Sequence, residues 1–409
     1  MEGKRADGTA LFRIGDFRWL SASIALNSVG MMGEAVALGW LTLQLTNSPL
    51  LVGVAMSMRA LPLFFVGVPA GALADRVPRH RLLMATGAGQ ALTAATLGTL
   101  ALAGAVGFGH VLAFTLANGI LRGVEHAARQ SYTHDVVGAA GLVKGFAVMG
   151  VAMRAGWLLG SLVVGAIIAR FDSGAGYLFV ACGYLGGALV LWLVSAPPPP
   201  ETPPENGSLW SSVTEFLRAV RTDRSLLVLM ALTAGAEILG FAHQVVLPSL
   251  ARDVLHAGPE GLGLLNGARS VGGILGLAAA ALTQGTARSN GALFLLVIGA
   301  FGVGLIGLAA APHLVGLAGV VVVLTVVNAA GALADLLSQS LLQLSVPPHL
   351  RGRAGGAWVL AIGLAPLGQL QIGALASLFG VSAALGASGL ALAALAVGAA
   401  LAFPRVRRL

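Results

Sequence analysis

The sequence predicts an all-α integral membrane protein with twelve transmembrane helices. Of its 409 residues, 57% are hydrophobic and only 10% are charged, and the mean hydropathy is +0.88. A water-soluble protein of this composition could not cover its surface with polar groups. The apolar runs are continuous and rich in Leu, Ala and Gly, without the alternation of a lipid-facing strand, so they are predicted to be helices rather than a barrel.

Twelve apolar segments are long enough to cross a bilayer, for which a helix needs about 20 residues. They are 17–45, 49–73, 82–105, 109–130, 143–169, 174–195, 225–250, 260–284, 290–311, 315–344, 352–378 and 381–403. With the N-terminus inside, 18 of the 24 Lys and Arg residues fall on the cytoplasmic side, and only Arg170 and Arg252 fall outside. This positive-inside bias predicts a multi-pass protein of the inner (plasma) membrane with both termini cytoplasmic.

Several classes of function are disfavoured by the sequence. The sequence pI is near 10.9, but the basic residues are spread over the predicted cytoplasmic loops, where anionic lipid headgroups attract them, so nucleic-acid binding is not expected. The sequence has no Gly-x-x-x-x-Gly-Lys-Ser/Thr loop, and its histidines lack ligand spacing. No nucleophile stands beside a suitable base, so we expect neither an enzyme nor a cofactor or metal.

A polar, proline-rich tract divides the chain into two halves. We predict an N-terminal six-helix bundle over 1–195, a cytoplasmic linker with an amphipathic helix over 196–224, and a C-terminal six-helix bundle over 225–409. A constant offset of 210 residues relates the halves and indicates an internal duplication. It pairs Gly30 with Gly240, Gly53 with Gly263, Arg59 with Arg269, Asn118 with Asn328, Glu125 with Asp335, and Gly145 with Gly355.

A short motif after the second segment carries a family resemblance. Gly71, Asp75, Arg76 and Arg79 match Gly-x-x-x-Asp-Arg/Lys-x-Gly-Arg-Arg/Lys, the cytoplasmic loop signature of the major facilitator superfamily. The sequence departs from it at Pro78 and at His80, where glycine and a cation are usual. The resemblance implies two pseudo-symmetric six-helix bundles that rock about a central site. It also implies that Asp75 latches the start of the eleventh helix, around 352–355.

Three further stretches resemble the branch of that superfamily that contains enterobactin-type and macrolide-type exporters. They are 41–49, Ala128–Gln130 and 344–353. Ala127 stands where that branch often has proline. The fifth segment contains Gly156, Gly160 and Gly165 but lacks the Gly-Pro pair typical of antiporters.

Four carboxylates interrupt otherwise apolar segments and are the leading candidates for function. Glu34, Glu125, Glu237 and Asp335 lie in the first, fourth, seventh and tenth segments, which the resemblance implies line the central cavity. An ionised group in hydrocarbon is costly unless paired or hydrated, and a buried acid can carry a proton. Glu34 and Glu237 have no cation within one helical turn and are expected to titrate most freely.

Basic residues within the segments have two open interpretations. Arg59, Arg154 and Arg269 either belong to the cavity or each neutralise a buried carboxylate and hold helices together. Glu125 lies four residues before Arg129, so we expect a local ion pair there.

Together these features predict a secondary transporter, specifically a proton-coupled exporter of small amphipathic molecules such as drugs or a secreted metabolite or siderophore. Sugars and phosphates are disfavoured because cationic clusters and abundant aromatic residues are lacking. We expect small molecules, protons and the bilayer as partners, and a monomer. The alternatives are an importer or lipid flippase of the same fold, or a receptor or scaffold that transports nothing.

Overall fold

A computed structural model of the protein describes residues 14–194, 224–283, 290–345 and 361–408, and helices account for most of them. The first five helices are α1 (Gly15–Thr46), α2 (Pro49–Arg76), α3 (Arg79–Leu102), α4 (Phe108–Arg170) and α5 (Ser173–Val190). The next five are α6 (Arg224–Gly235), α7 (Gly258–Thr283), α8 (Asn290–Leu344), α9 (Ala365–Phe379) and α10 (Val381–Ala402). These ranges contain no strand, so the all-α prediction is confirmed.

Two of these helices, α4 and α8, are each a pair of helices joined at a glycine. Gly138 in α4 has φ 63° and ψ 171°, and Gly316 in α8 has φ 61° and ψ −164°. Only glycine adopts such angles without strain, because a side chain would collide with the backbone. With both runs divided there, the described helices are consistent with the twelve predicted segments. Seven of the described helical stretches are long and apolar enough to cross a membrane.

The backbone that follows α6 changes its hydrogen-bond pattern several times. It forms a π-helix over Ala236–Gly240, a 3₁₀-helix over Phe241–Val246, a short α-helix over Leu247–Ser249, and a second π-helix over Leu250–Val254. Pro248 lacks an N–H group and so cannot maintain a regular ladder. Glu237 therefore lies in the wide turn of a π-helix. Such turns are rare in proteins, and those that occur are often found at functional sites.

By their contacts the described residues form two compact units. Unit 1 contains residues 14–37 and 65–194, and unit 2 contains residues 38–64 together with the described residues from 224 onward. The end of α1 and the first half of α2 thus group with residues from the second half of the chain. The predicted bundle limits stay a prediction, and the proline-rich linker and its amphipathic helix lie outside the described residues, apart from Arg224.

Close helix packing in unit 1 depends on glycines that lie directly against backbone carbonyl groups of the neighbouring helix. A Cβ placed on Gly156 would lie 2.4 Å from the Ala25 carbonyl oxygen, and one on Gly160 would lie 2.2 Å from that of Val29. Two small residues four apart let two helix backbones approach, as is common in membranes. The second half of α4 and α1 are therefore in contact along two turns.

Unit 2 uses the same device twice. Glycines Gly272 and Gly276 of α7 face the carbonyl oxygens of Thr325 and Ala329 in α8, at 2.2 and 2.3 Å from a Cβ placed on each. In α2, a Cβ on Gly53 would lie 2.5 Å from the Gln369 carbonyl oxygen. These contacts pack α7 against α8 and α2 against α9.

Candidate functional site

Glu34 lies in the interior of unit 1. Its side chain is almost fully buried, and the Tyr184 hydroxyl donates a hydrogen bond of 2.7 Å to its Oε2 atom. A pocket of only about 10 Å³ lies beside it and is lined in part by Asn118 and Tyr177. Tyr184 was missed by the sequence reasoning. It sits next to Gly183, and a large polar ring among small residues was the available signal.

Glu125 forms the expected ion pair with Arg129, one turn later in α4. Arg129 donates from Nε to Oε1 at 2.8 Å and also from its Nη2 atom. The Glu125 side chain is 7% exposed and that of Arg129 is 17% exposed. Gln90 of α3 lies 3.5 Å from Oε2, and Asn27 of α1 donates to Gln90 at 3.3 Å. A chain of polar side chains therefore links α1, α3 and α4.

Glu237 and Asp335 are brought together in unit 2. Both are partly buried, and their charges interact. One turn away from each, a Cβ on Gly331 would lie 3.0 Å from the Phe241 ring, so the two segments are in contact there. Two acidic groups from distant parts of the sequence thus lie near each other within the helices.

Within the described ranges, the side-chain partners of Arg269 are neutral amides. Its Nη1 atom donates to Asn266 Oδ1 at 2.8 Å, and its Nη2 atom donates to Gln244 Oε1 at 2.9 Å. The interpretation that each inner arginine neutralises one acid therefore does not describe Arg269. Its interacting charged neighbour is Arg59 of α2, the residue that the 210-residue offset pairs with it.

A completely buried histidine, His243, was not singled out by the sequence. Its Nδ1–H group donates to the Gly240 carbonyl at 2.8 Å, and its Nε2 atom accepts from Asn328 at 3.4 Å. These two bonds satisfy both ring nitrogens of a neutral imidazole. His243 therefore ties the irregular stretch after α6 to α8.

The remaining predicted residues lie elsewhere. The Arg154 guanidinium stacks 5.6 Å from the centre of the Trp157 ring on the same helix. Arg79 pairs with Asp135 at 2.7 Å within unit 1. The backbone of Gly71, Asp75 and Arg76 is helical because α2 extends beyond its predicted end, but their side chains and residues 352–355 lie outside the described part of the structure.

One departure from the loop signature has a structural explanation. His80 occupies a position where a cation is usual, and its Nε2 atom donates to the Leu191 carbonyl oxygen at 2.6 Å. That carbonyl belongs to the 3₁₀ turn that follows α5, where helix carbonyl groups lack internal partners. A histidine can thus fasten α3 to the end of α5.

Long apolar helices that carry acidic, basic and amide groups in their interior are typical of membrane transport proteins. The sequence model of the Major Facilitator Superfamily matches residues 19–368. The chain belongs to this superfamily and is a multi-pass membrane transporter of small molecules.

Relatives and solved structures agree with this membership. The enterobactin exporter EntS of Shigella boydii serotype 4 is 26% identical over 359 residues, which cover 86% of this chain and 84% of that protein. EntS of Citrobacter koseri is 26% identical over 361 residues with the same coverage. A mutant of the nucleoside transporter NupG has a TM-score of 0.79 at 13% identity, and covers 95% of this chain and 99% of its own. The peptide transporter POT in complex with sulfate has a TM-score of 0.76 at 17% identity, over 96% of this chain and 95% of its own.

Proposed function

We propose that the protein exports a small amphipathic metabolite of the siderophore type across the bacterial inner membrane, driven by the proton gradient. The observation that carries the proposal is that Glu237 and Asp335 each lie one turn from the contact between Phe241 and Gly331, which brings the two acids near each other. Two neighbouring carboxylates in an apolar setting accommodate one negative charge more easily than two, which suits binding and release of a proton. The similarity to enterobactin exporters supports the direction and the class of cargo.

The location of Glu237 also supports a role in coupling. The π-helix over Ala236–Gly240 places this acid on a backbone with one extra residue in the turn, and His243 fastens the next turn to α8. Occupation of the acid pair by a proton removes charge repulsion between α8 and the segment that holds Glu237. We propose that this change shifts the equilibrium between the inward-open and outward-open states of the transporter. We also propose that a monomer is sufficient for transport.

The test is uptake of enterobactin into inverted membrane vesicles under an imposed proton gradient. Glu237→Gln and Asp335→Asn keep the size and hydrogen-bonding capacity of each side chain but cannot carry the proton. We expect either substitution to reduce gradient-driven accumulation at least tenfold, while exchange of enterobactin between the two sides without a gradient persists. Rapid filtration with labelled enterobactin measures both quantities.

Glu260→Gln is the matched control, because Glu260 is an exposed acid in the first turn of α7. This variant should accumulate enterobactin as the unmodified protein does. Equal accumulation by all variants at equal protein levels would remove the coupling assignment. Absence of both accumulation and exchange in the unmodified protein would remove enterobactin as cargo, and its uptake only under the opposite gradient would indicate import.

A further inference from the structure

An arginine at the predicted outer end of the protein binds the end of α1 from the second half of the chain. The Arg252 Nη1 atom donates to the Leu43 carbonyl oxygen at 3.1 Å and to Asn47 Oδ1 at 2.9 Å. These acceptors lie 209 and 205 residues earlier in the chain. Basic residues are depleted on the outside of membrane proteins, and Arg252 is one of the two predicted there. Its position against α1 indicates a specific role.

Arg252 caps α1 and also binds the turn that follows this helix. Leu43 is among the last four residues of α1, whose carbonyl groups form the negative end of the helix dipole. Its oxygen also accepts a bond of 2.9 Å from the Asn47 N–H group. Asn47 has a positive φ of 49°, a conformation that asparagine adopts more readily than most residues. One guanidinium therefore fixes both the last turn of the helix and the residue that ends it.

The irregular backbone after α6 brings Arg252 to this place. A Cβ on Gly39 would lie 2.7 Å from the Pro248 ring. Leu43 lies one turn after Gly39, and Arg252 lies one turn after Pro248, so the two segments run side by side. Arg252 belongs to the second π-helix, and its Nε atom donates to Asp253 Oδ1 at 2.6 Å. The neighbouring acid thus orients the guanidinium while its Nη1 atom reaches α1.

A second attachment fixes the beginning of α2. The Leu50 N–H group donates to Ser377 Oγ at 3.0 Å, close to the end of α9. The first N–H groups of a helix lack partners within it, and the Ser377 hydroxyl supplies one here. A Cβ on Gly373, one turn before Ser377, would lie 2.8 Å from the Pro49 carbonyl oxygen. The turn between α1 and α2 is therefore bound on two sides by residues from the second half of the chain.

These attachments agree with the grouping of residues 38–64 in unit 2, although the predicted N-terminal bundle extends over 1–195. Alternating access moves two bundles against each other, and such movements rearrange the polar contacts between them. A segment of one bundle that is bound to the other must therefore be released when that end opens.

We propose that Arg252, Asn47 and Ser377 form a latch that keeps the transporter closed toward the outside and that breaks each time this side opens. The latch gives a role to the stretch 41–49, which resembles the exporter branch and contains the two acceptors of Arg252. It requires neither a particular cargo nor proton coupling, so it goes beyond the proposed export function.

The test measures the distance between two spin labels in the purified full-length protein, in phosphatidylcholine nanodiscs without cargo. The labels are attached to cysteines at Leu45 and Leu378, which are exposed beside the turn and beside Ser377, after Cys182→Ser removes the single native cysteine. Pulsed electron paramagnetic resonance gives the ratio of separated to close pairs. We expect close pairs to dominate in the unmodified protein. Arg252→Gln should raise the ratio about tenfold, because hydrogen bonds to a charged group are lost.

Three further variants separate the latch from a general loss of packing. Asn47→Gly removes one acceptor but tolerates the positive φ, and it should raise the ratio about threefold or more. Ser377→Ala should act similarly, and adding Asn47→Asp to it should lower the ratio again, because a carboxylate accepts a stronger bond from Arg252. Arg170→Gln is the matched control, since Arg170 is exposed and is the other arginine predicted outside. It should leave the ratio unchanged.

An unchanged ratio in Arg252→Gln would overturn the proposal. If the melting temperature of that variant falls while the ratio stays constant, Arg252 is a structural cap of α1 and no latch exists. Asn47→Gly decides the matter if Arg252→Gln fails to fold, because it removes an exposed acceptor and leaves the guanidinium in place. Equal ratios in Asn47→Gly and the unmodified protein would then contradict the latch.

Discussion

Gly160→Leu is expected to prevent the protein from reaching its folded state in useful amounts. Even the first atom of the new side chain would lie 2.2 Å from the Val29 carbonyl oxygen and 2.9 Å from its carbon, closer than real Cβ atoms come. The obstacle is backbone, so no rotamer change relieves it and α1 must move away from α4. Overpacking typically costs about 1–3 kcal/mol and occasionally more, and a clash with backbone belongs to the upper part of this range.

The measurement is the monodisperse yield after detergent extraction, followed by size-exclusion chromatography and a thermal melt. Gly150→Leu is the matched control, because it adds the same side chain to the same helix at a position where a Cβ has no neighbour within 4 Å. We expect near-normal yield for Gly150→Leu, little folded Gly160→Leu, and an intermediate result for Gly160→Ala. Equal yields for the two leucine variants would contradict the described contact between α1 and α4.

Arg129→Gln is expected to destabilise unit 1 strongly. The substitution leaves the buried Glu125 carboxylate without its ion-pair partner, and breaking a buried pair from one side costs about 3–5 kcal/mol. We expect the midpoint of thermal unfolding in detergent to fall by roughly 10 °C. Tryptophan fluorescence measures this unfolding. Glu125→Gln should also destabilise, because Arg129 already has its buried Nη1 atom without a hydrogen-bond partner among the described residues.

The double variant Glu125→Gln/Arg129→Gln distinguishes pairing from two independent losses. Two neutral amides can bond to each other and remove both buried charges, so we expect most of the stability to return. Strictly additive losses in the double variant would show that the two side chains do not depend on each other. A stable double variant that no longer transports would assign Glu125 a functional role in addition to its structural one.

Much of the fold followed from the sequence because membrane insertion imposes simple rules on composition. Continuous apolar segments of sufficient length predicted the helices, and their ends agree with the structure within a few residues for α1, α7 and α10. The irregular backbone after α6 was not predicted. Hydrophobicity does not reveal whether backbone hydrogen bonds join residues three, four or five positions apart. Pro248 was the one local sign of an irregular helix.

The sequence predicted many of the residues of the candidate site but not which of them contact each other. Glu125 and Arg129 are one turn apart, so their pairing could be inferred from helical spacing. Glu34 with Tyr184, and His243 with Asn328, are joined across 150 and 85 residues, and no periodicity connects them.

The mixed helical turns around Glu237 have a mechanical consequence. In a regular helix, re-aiming one side chain requires breaking the ladder and leaving backbone groups exposed to an apolar medium. Where a wide turn already exists, its extra residue can migrate along the chain, each step exchanging one bonding partner for the next. Such migration would rotate the carboxylate of Glu237 about the helix axis while both ends of the segment stay in place. Protonation of Glu237 could therefore rotate its side chain without displacing the whole segment.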